Sequence, residues 1–183
     1  MSAVRARPSA QMDIKNIIGD YEFFFSDLLY RLKGMNIDVA GIPISHFSFR
    51  TETDSEYQKM LSELKIFCKE FSDIQFNGRA VSVLILKDPL VLRDGFDVSV
   101  LELLAPRSVH MYTSGLESIG LILGKKLPEF NGKHRSELTG TKDHGIYCQP
   151  SFITFDNNKT AKFYDISLKE IVELDGWKFE KLY

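Results

Sequence analysis

From Asp13 onward, apolar residues recur at three- and four-residue steps: Ile14, Ile17, Ile18, Tyr21, Phe24, Phe25, Leu28, Leu29 and Leu32. That spacing predicts one helix with a single apolar face, packed on the outside of a sheet, with Gly34 as its natural stop. The period then changes. Over 42–50, Phe47 and Phe49 alternate with His46, Ser48 and Arg50, which predicts a strand. One of its faces is apolar, and the other carries a polar row that either faces solvent or lines a pocket. Thr53-Asp54-Ser55-Glu56 reads as a capping box. Tyr57, Met60, Leu61, Leu64, Phe67, Cys68 and Phe71 continue it as an amphipathic helix. Asn77-Gly78 predicts a tight turn between two strands. A strand over 80–86, a loop with Pro89 and Gly95, and a strand over 96–104 follow.

The second half repeats this order more faintly. A strand is expected over 116–123. The polar stretch 125–138 holds Pro128 and Gly132, so any helix there is short or broken. A strand over 145–148 is expected next. Residues 152–155 and 160–164 then read as a hairpin across Asp156-Asn157-Asn158-Lys159, since Asn tolerates the positive φ of the turn. Ser167-Leu168-Lys169-Glu170 caps a last short helix. There is no low-complexity segment and no solenoid period.

Composition narrows the class. The chain has 183 residues, 44% hydrophobic and 26% charged. A real core is therefore expected without disulfides or metals to hold it. A net charge of -2 gives no reason to expect nucleic acid or an anionic membrane as partner. The two cysteines, Cys68 and Cys148, form no CxxC pair and no zinc spacing. Cys68 sits on an apolar stripe, as a buried inert thiol would. No apolar run approaches the roughly 18 residues that span a bilayer. The expected compartment is the cytoplasm. Residues 1–12 are expected to be a disordered tail. The basic, acid-free start could also be targeting sequence or an appended segment, with Met12 as the start.

Two βαβββ-like units in tandem are the pattern of the vicinal oxygen chelate fold, although ferredoxin-like domains read similarly. Local phrases add to it. Ser45-His46-Phe47-Ser48-Phe49-Arg50, Asn77-Gly78-Arg79, Val98-Ser99-Val100-Leu101-Glu102-Leu103, Gly115-Leu116-Glu117-Ser118-Ile119 and Lys159-Thr160-Ala161-Lys162-Phe163-Tyr164 stand in order, and Ser167-Leu168-Lys169-Glu170-Ile171-Val172 continues them. Across roughly 14–173 the chain resembles the bacterial YecM family, whose fold is similar to the glyoxalase, bleomycin-resistance and extradiol-dioxygenase group. The resemblance implies an α+β fold of two βαβββ-like modules in a curved-sheet half-barrel with an added N-terminal helix. The domain would cover 13–183, with halves at about 36–106 and 107–183.

The resemblance also implies a metal site on the inner strands, at positions matching His46, Glu102, Ser118 and Tyr164. Ser118 and Tyr164 stand where the YecM pattern has His. A serine hydroxyl and a neutral phenol are poor donors, and a divalent ion wants three or four good ones. No cofactor is therefore expected, and a metal on His46 and Glu102 is the weaker alternative. His110, His134 and His144 are expected in solvated loops.

Without a metal, His46 and Glu102 can act as a base and its orienter, and Tyr164 can donate to a carbonyl or enolate oxygen. Arg50 and Arg79 are candidate anion clamps, with Ser48 and Ser118 as further substrate contacts. Each has a plainer reading: a satisfied histidine, an edge carboxylate, a packing aromatic, a structural ion pair. The expected function is a small-molecule enzyme of lyase, isomerase or cyclase type with an incomplete metal site. The alternatives are a non-catalytic module that binds a small organic molecule, a divalent-metal enzyme, and a pocketless interaction domain. Homodimerisation is left open.

Overall fold

In a computed structural model, residues 13–107, 113–141 and 146–182 are described. The first amphipathic stretch forms two helices, α1 (Lys15–Ile18) and α2 (Tyr21–Gly34), rather than one. Gly19 adopts φ 81° and ends α1, and the Asp20 side chain accepts from Phe23 N to start α2. Gly34 is still helical. The left-handed residue is Asn36 (φ 58°), closed by an Ile37 N to Leu32 O hydrogen bond.

Strand β1 (Ile44–Arg50) does not have one wet face: from Ser45 to Arg50 it is buried on both. Helix α3 (Asp54–Lys65) is capped as expected by Thr53, whose hydroxyl accepts from Glu56 N at 3.1 Å. It ends earlier than its apolar spacing suggests. Phe67 lies in the turn after it, and Cys68 opens strand β2 (Cys68–Phe76), which also contains Phe71. Pairing with strand β3 (Arg79–Val91), from Cys68↔Leu86 to Phe76↔Arg79, overrides the local helical pattern. Asn77 (φ 51°) and Gly78 (φ 75°) make the tight turn. Pro89 lies inside β3, not in a loop. The register to strand β4 (Asp97–Leu104) breaks between Ile85 and Leu90, where a missing N–H is tolerated.

Strand β5 (Gly115–Ile122) is followed by a short α4 (Leu127–Lys133) and a two-residue β6 (Gly140–Thr141). The strand expected over 145–148 is absent at 146–148, which form a bend and coil, and Gly145 lies outside the described residues. The expected hairpin forms from β7 (Ser151–Thr154), which lies one residue earlier than read, and β8 (Thr160–Tyr164), with Asn158 at φ 60°. Ser167 and Glu170 form a full capping box on α5 (Leu168–Leu174), and β9 (Glu180–Lys181) ends the fold.

Among the described residues all nine strands belong to one mixed open sheet, in the order β6-β7-β8-β5-β1-β4-β3-β2-β9. In each half the first strand lies parallel to the last: β1 to β4 and β5 to β8. The halves meet where β1 and β5 pair antiparallel.

The two sheet faces are covered differently. Phe47 and Phe163 point to the side of α2, α3 and α4. There Phe24 meets Phe47 edge-on at 5.3 Å, and Phe130 meets Phe163 at 4.3 Å. The opposite face carries the polar row, and the chain after β8 crosses it to reach β2 as β9. On the way α5 packs Leu168 and Val172 against Val81, Val83 and Leu104, and Ile171 against Tyr164 and Cys148. Burying each such side chain contributes about 1.5–3 kcal/mol, enough to hold a short helix in place. Among the described residues no helix is long and apolar enough to cross a membrane.

Candidate functional site

The centre of the polar face is set by strand register. Ser48 lies opposite Glu102 on β4 and opposite Ser118 on β5, so three polar side chains meet across adjacent strands. Ser48 Oγ donates to Glu102 Oε2 at 2.5 Å. The same oxygen lies 3.8 Å from His46 Nε2. A bulge between Ile44 and His46 brings Ser45 to the same side. Ser45 Oγ accepts from Leu168 N at 2.8 Å and lies 2.9 Å from His46 Nδ1. The first amide of α5 is therefore tied to the hydroxyl that touches the imidazole.

His46 and Tyr164 are 0% exposed and Glu102 is 4% exposed. The Tyr164 ring stands edge-on to His46 at 5.4 Å. Burial, then the nearby Glu102 and Cys148, push its phenol well above the ordinary tyrosine range. It is a neutral hydrogen-bonding group at physiological pH. Gly120, opposite His46 on β5, makes the space: a Cβ there would lie 2.5 Å from His46 Cε1 and 3.1 Å from Tyr164 Cε2.

The expected substrate contacts divide. Ser48 is engaged by Glu102. Arg50 is engaged by Glu117, whose Oε2 accepts from Nε at 2.7 Å and lies 2.6 Å from Nη2. Ser118 Oγ is buried without a partner among the described residues. Arg79 Nε and Nη1 are in the same condition. Burial, then Arg50, hold the Arg79 guanidinium below the ordinary arginine range, and Arg107 adds to this, against an opposing pull from Glu102.

His134 is not solvated: it is 7% exposed, with its ring 4.8 Å from Phe130. His110 and His144 lie outside the described residues. Cys68 and Cys148 are buried, and burial pushes both thiols up to about 12. Cys68 is as inert as expected, although it lies on a strand.

The fold resemblance implies a divalent metal, and these donors decide whether one fits. The four matching positions supply one imidazole, from His46, one carboxylate, from Glu102, and two neutral hydroxyls, from Ser118 and Tyr164, and the other hydroxyls near them, of Ser45 and Ser48, are poor donors too. Among the described residues no three His, Cys, Asp or Glu side chains gather where they could hold an ion. The donor set does not fit a transition metal.

Sequence reasoning missed Ser45, Gly120, Lys162 and the cover formed by α5. Lys162 pairs opposite Gly120, on the His46 face, and is 6% exposed. The glycine inside an apolar strand was the readable signal, because such a glycine marks a close approach. The α5 cover had no local signal.

No curated protein matches the chain. A solved structure described as "Structural Genomics, Protein EC4020" is 18% identical, with a TM-score of 0.66, covering 92% of this chain and 100% of its own. It shows a shared fold. Hypothetical protein BH1468 from Bacillus halodurans C-125 is 11% identical over 68% of this chain and 94% of its own, at a TM-score of 0.44. The fosfomycin resistance protein FosX from Mesorhizobium loti is 11% identical over 70% and 95%, at 0.25. These last two likenesses are too faint to bear on this chain. The model of the family described as "YecM protein" matches residues 13–146, short of the last two phrases read as matching, and on that span the chain belongs to the YecM family.

Proposed function

We propose that this chain is a small-molecule enzyme of lyase or isomerase type that moves a proton with the His46–Glu102 pair and needs no metal ion. The observation that carries the reading is convergence. An imidazole from β1 and a carboxylate from β4 stand 3.8 Å apart on one sheet face. Such a pair supplies a general base and the group that orients it. The neutral Tyr164 phenol beside them suits donation to a carbonyl or enolate oxygen. The strand order, with the first strand of each half beside its last, supports two βαβββ modules whose inner face is the polar one. The weak donor set supports chemistry without a metal. Because α5 lies over the pair, a substrate reaches it only when the segment after β8 lifts.

A second reading is a non-catalytic binding module. It is favoured by one observation: His46 has no exposed surface, so a ligand held elsewhere on the polar face would not meet the pair.

Proton exchange separates the two readings. EDTA-treated protein would be incubated in D2O with a panel of small 2-oxo and 2-hydroxy acids, and deuterium uptake followed by NMR. The enzyme reading expects exchange into at least one compound, lost in both H46Q and E102Q. Binding without exchange would leave the binding module, and exchange that survives H46Q would end the proposed role of the pair.

A further inference from the structure

At the Arg50 end of the polar face, a cleft of about 530 Å³ opens between the start of α3, the β2–β3 turn and the residues after β4. Arg79 and Arg107 both line it. The turn at Asn77-Gly78 makes Arg79 the first residue of β3, and alternation with Val81 and Val83 sets it on the same face as Glu102. Arg107 arrives from the other wall, just beyond β4.

The two guanidinium groups share an unusual condition. Arg79 Nε and Nη1 and Arg107 Nε are buried, and no hydrogen-bond acceptor reaches them among the described residues. Neither group has a carboxylate oxygen within 4.0 Å among those residues, whereas Arg50 beside them is held by Glu117. Glu52 and Asp54 also line the cleft, but both are exposed and neither pairs with an arginine. A buried donor with no acceptor pays its desolvation and recovers nothing. Two such groups facing one cleft describe a site whose acceptor is not among the described residues. The depressed proton affinity of Arg79 agrees: burial first, then Arg50 and Arg107, lower it, against a pull from Glu102 and Glu117 that does not cancel them. The first turn of α3, at Thr53 and Asp54, adds the positive end of a helix to the same wall.

We propose that Arg79 and Arg107 bind a small molecule through an oxyanion group, a carboxylate or a phosphoryl or phosphonyl group, in this cleft. The planar fork of arginine fits two oxygens of such a group, which a lysine pair would not match. As the ligand class of the proposed enzyme, this inference rests on that reading. As an anion site it stands without it, and the test below separates the two.

Inorganic phosphate, methylphosphonate and acetate would be titrated into the full chain at constant ionic strength, against chloride. Melting temperature and titration calorimetry are the readouts. At least one anion should raise the melting point saturably, since a ligand that binds only the folded state does so. Whichever anion binds tells phosphoryl, phosphonyl and carboxyl chemistry apart. R79M and R107M should each weaken that binding at least tenfold. H46Q should leave it unchanged, whatever happens to catalysis. Without anion, R79M should melt no lower than the parent, because the variant loses an unpaired buried charge. Three results would overturn the site: no saturable anion binding in the parent, unchanged affinity in R79M and R107M, or an equal loss in H46Q. Should R79M fail to fold, R107M alone decides by the same tenfold criterion.

Discussion

A methyl group added at Gly120 would meet His46 Cε1 at 2.5 Å and Nδ1 at 2.7 Å. His46 cannot swing away easily. It is fully buried, with Ser45 at one ring nitrogen and the Tyr164 ring edge-on beside it. Gly120→Ala should therefore cost about 1–3 kcal/mol, the usual penalty for overpacking a closed interior. Urea unfolding measures the loss, and the ring resonances of His46 should shift with it. A variant as stable as the parent, with unmoved resonances, would mean that the imidazole does not occupy this space. At this scale the sequence was readable in part. His46 and Glu102 could be paired because alternation along two strands put both on one face. Their depth could not be read, because it depends on a helix more than a hundred residues from His46. The fate of Arg50 was hidden for a related reason: Glu117 reaches it only through the β1–β5 pairing, which includes a register shift beside them.

Among the elements, α5 depends most on its ends. Seven residues make a marginal helix on their own, and the capping box supplies what length does not. Hydrogen bonds from the Ser167 hydroxyl and backbone hold the Glu170 carboxyl below its ordinary value. The sign follows: this contribution is complete above the unfolded glutamate pKa and is lost as pH falls through the lowered folded value. Ser167→Ala should destabilise α5 docking by about 1 kcal/mol. Cys148 reports the event, since its buried thiol packs against Ile171. Alkylation of Cys148 in the native protein should accelerate about fivefold in S167A. Cys68, on the other face and donating to Leu64 O, should keep its rate. Equal acceleration at both thiols would indicate general loosening instead. The caps at Thr53 and Ser167 and the Asn77-Gly78 turn were legible because each is a local device. The end of α3 was not. Phe67, Cys68 and Phe71 fit helical spacing, and only pairing with β3 makes the last two strand residues.

Across the whole molecule, the segment after β8 ties the two halves together. It belongs by sequence to the second half, yet α5 lies on Val81, Val83 and Leu104 of the first, and β9 pairs with β2 at the far edge. Its attachments are modest beside those of the central strands. Among the described residues the β9 pairing spans Glu70↔Lys181 and Phe71↔Glu180, with one further bond from Leu182 N to Lys69 O, whereas β1 is paired on both sides and buried throughout most of its length. Segments held by few contacts open below the global unfolding free energy. Native-state hydrogen exchange should therefore show α5 amides opening at a lower free energy, and with a smaller denaturant dependence, than those of β1 and β5. The proposed chemistry requires this difference, because only a cover that opens separately admits a substrate to His46 and Glu102. The anion cleft does not require it, since Arg79 and Arg107 line open space with α5 in place. If α5 and β1 exchange through one common global opening, the pair stays sealed in the folded state and its role is packing. Anion binding at the arginines would then be all that remains of the small-molecule reading.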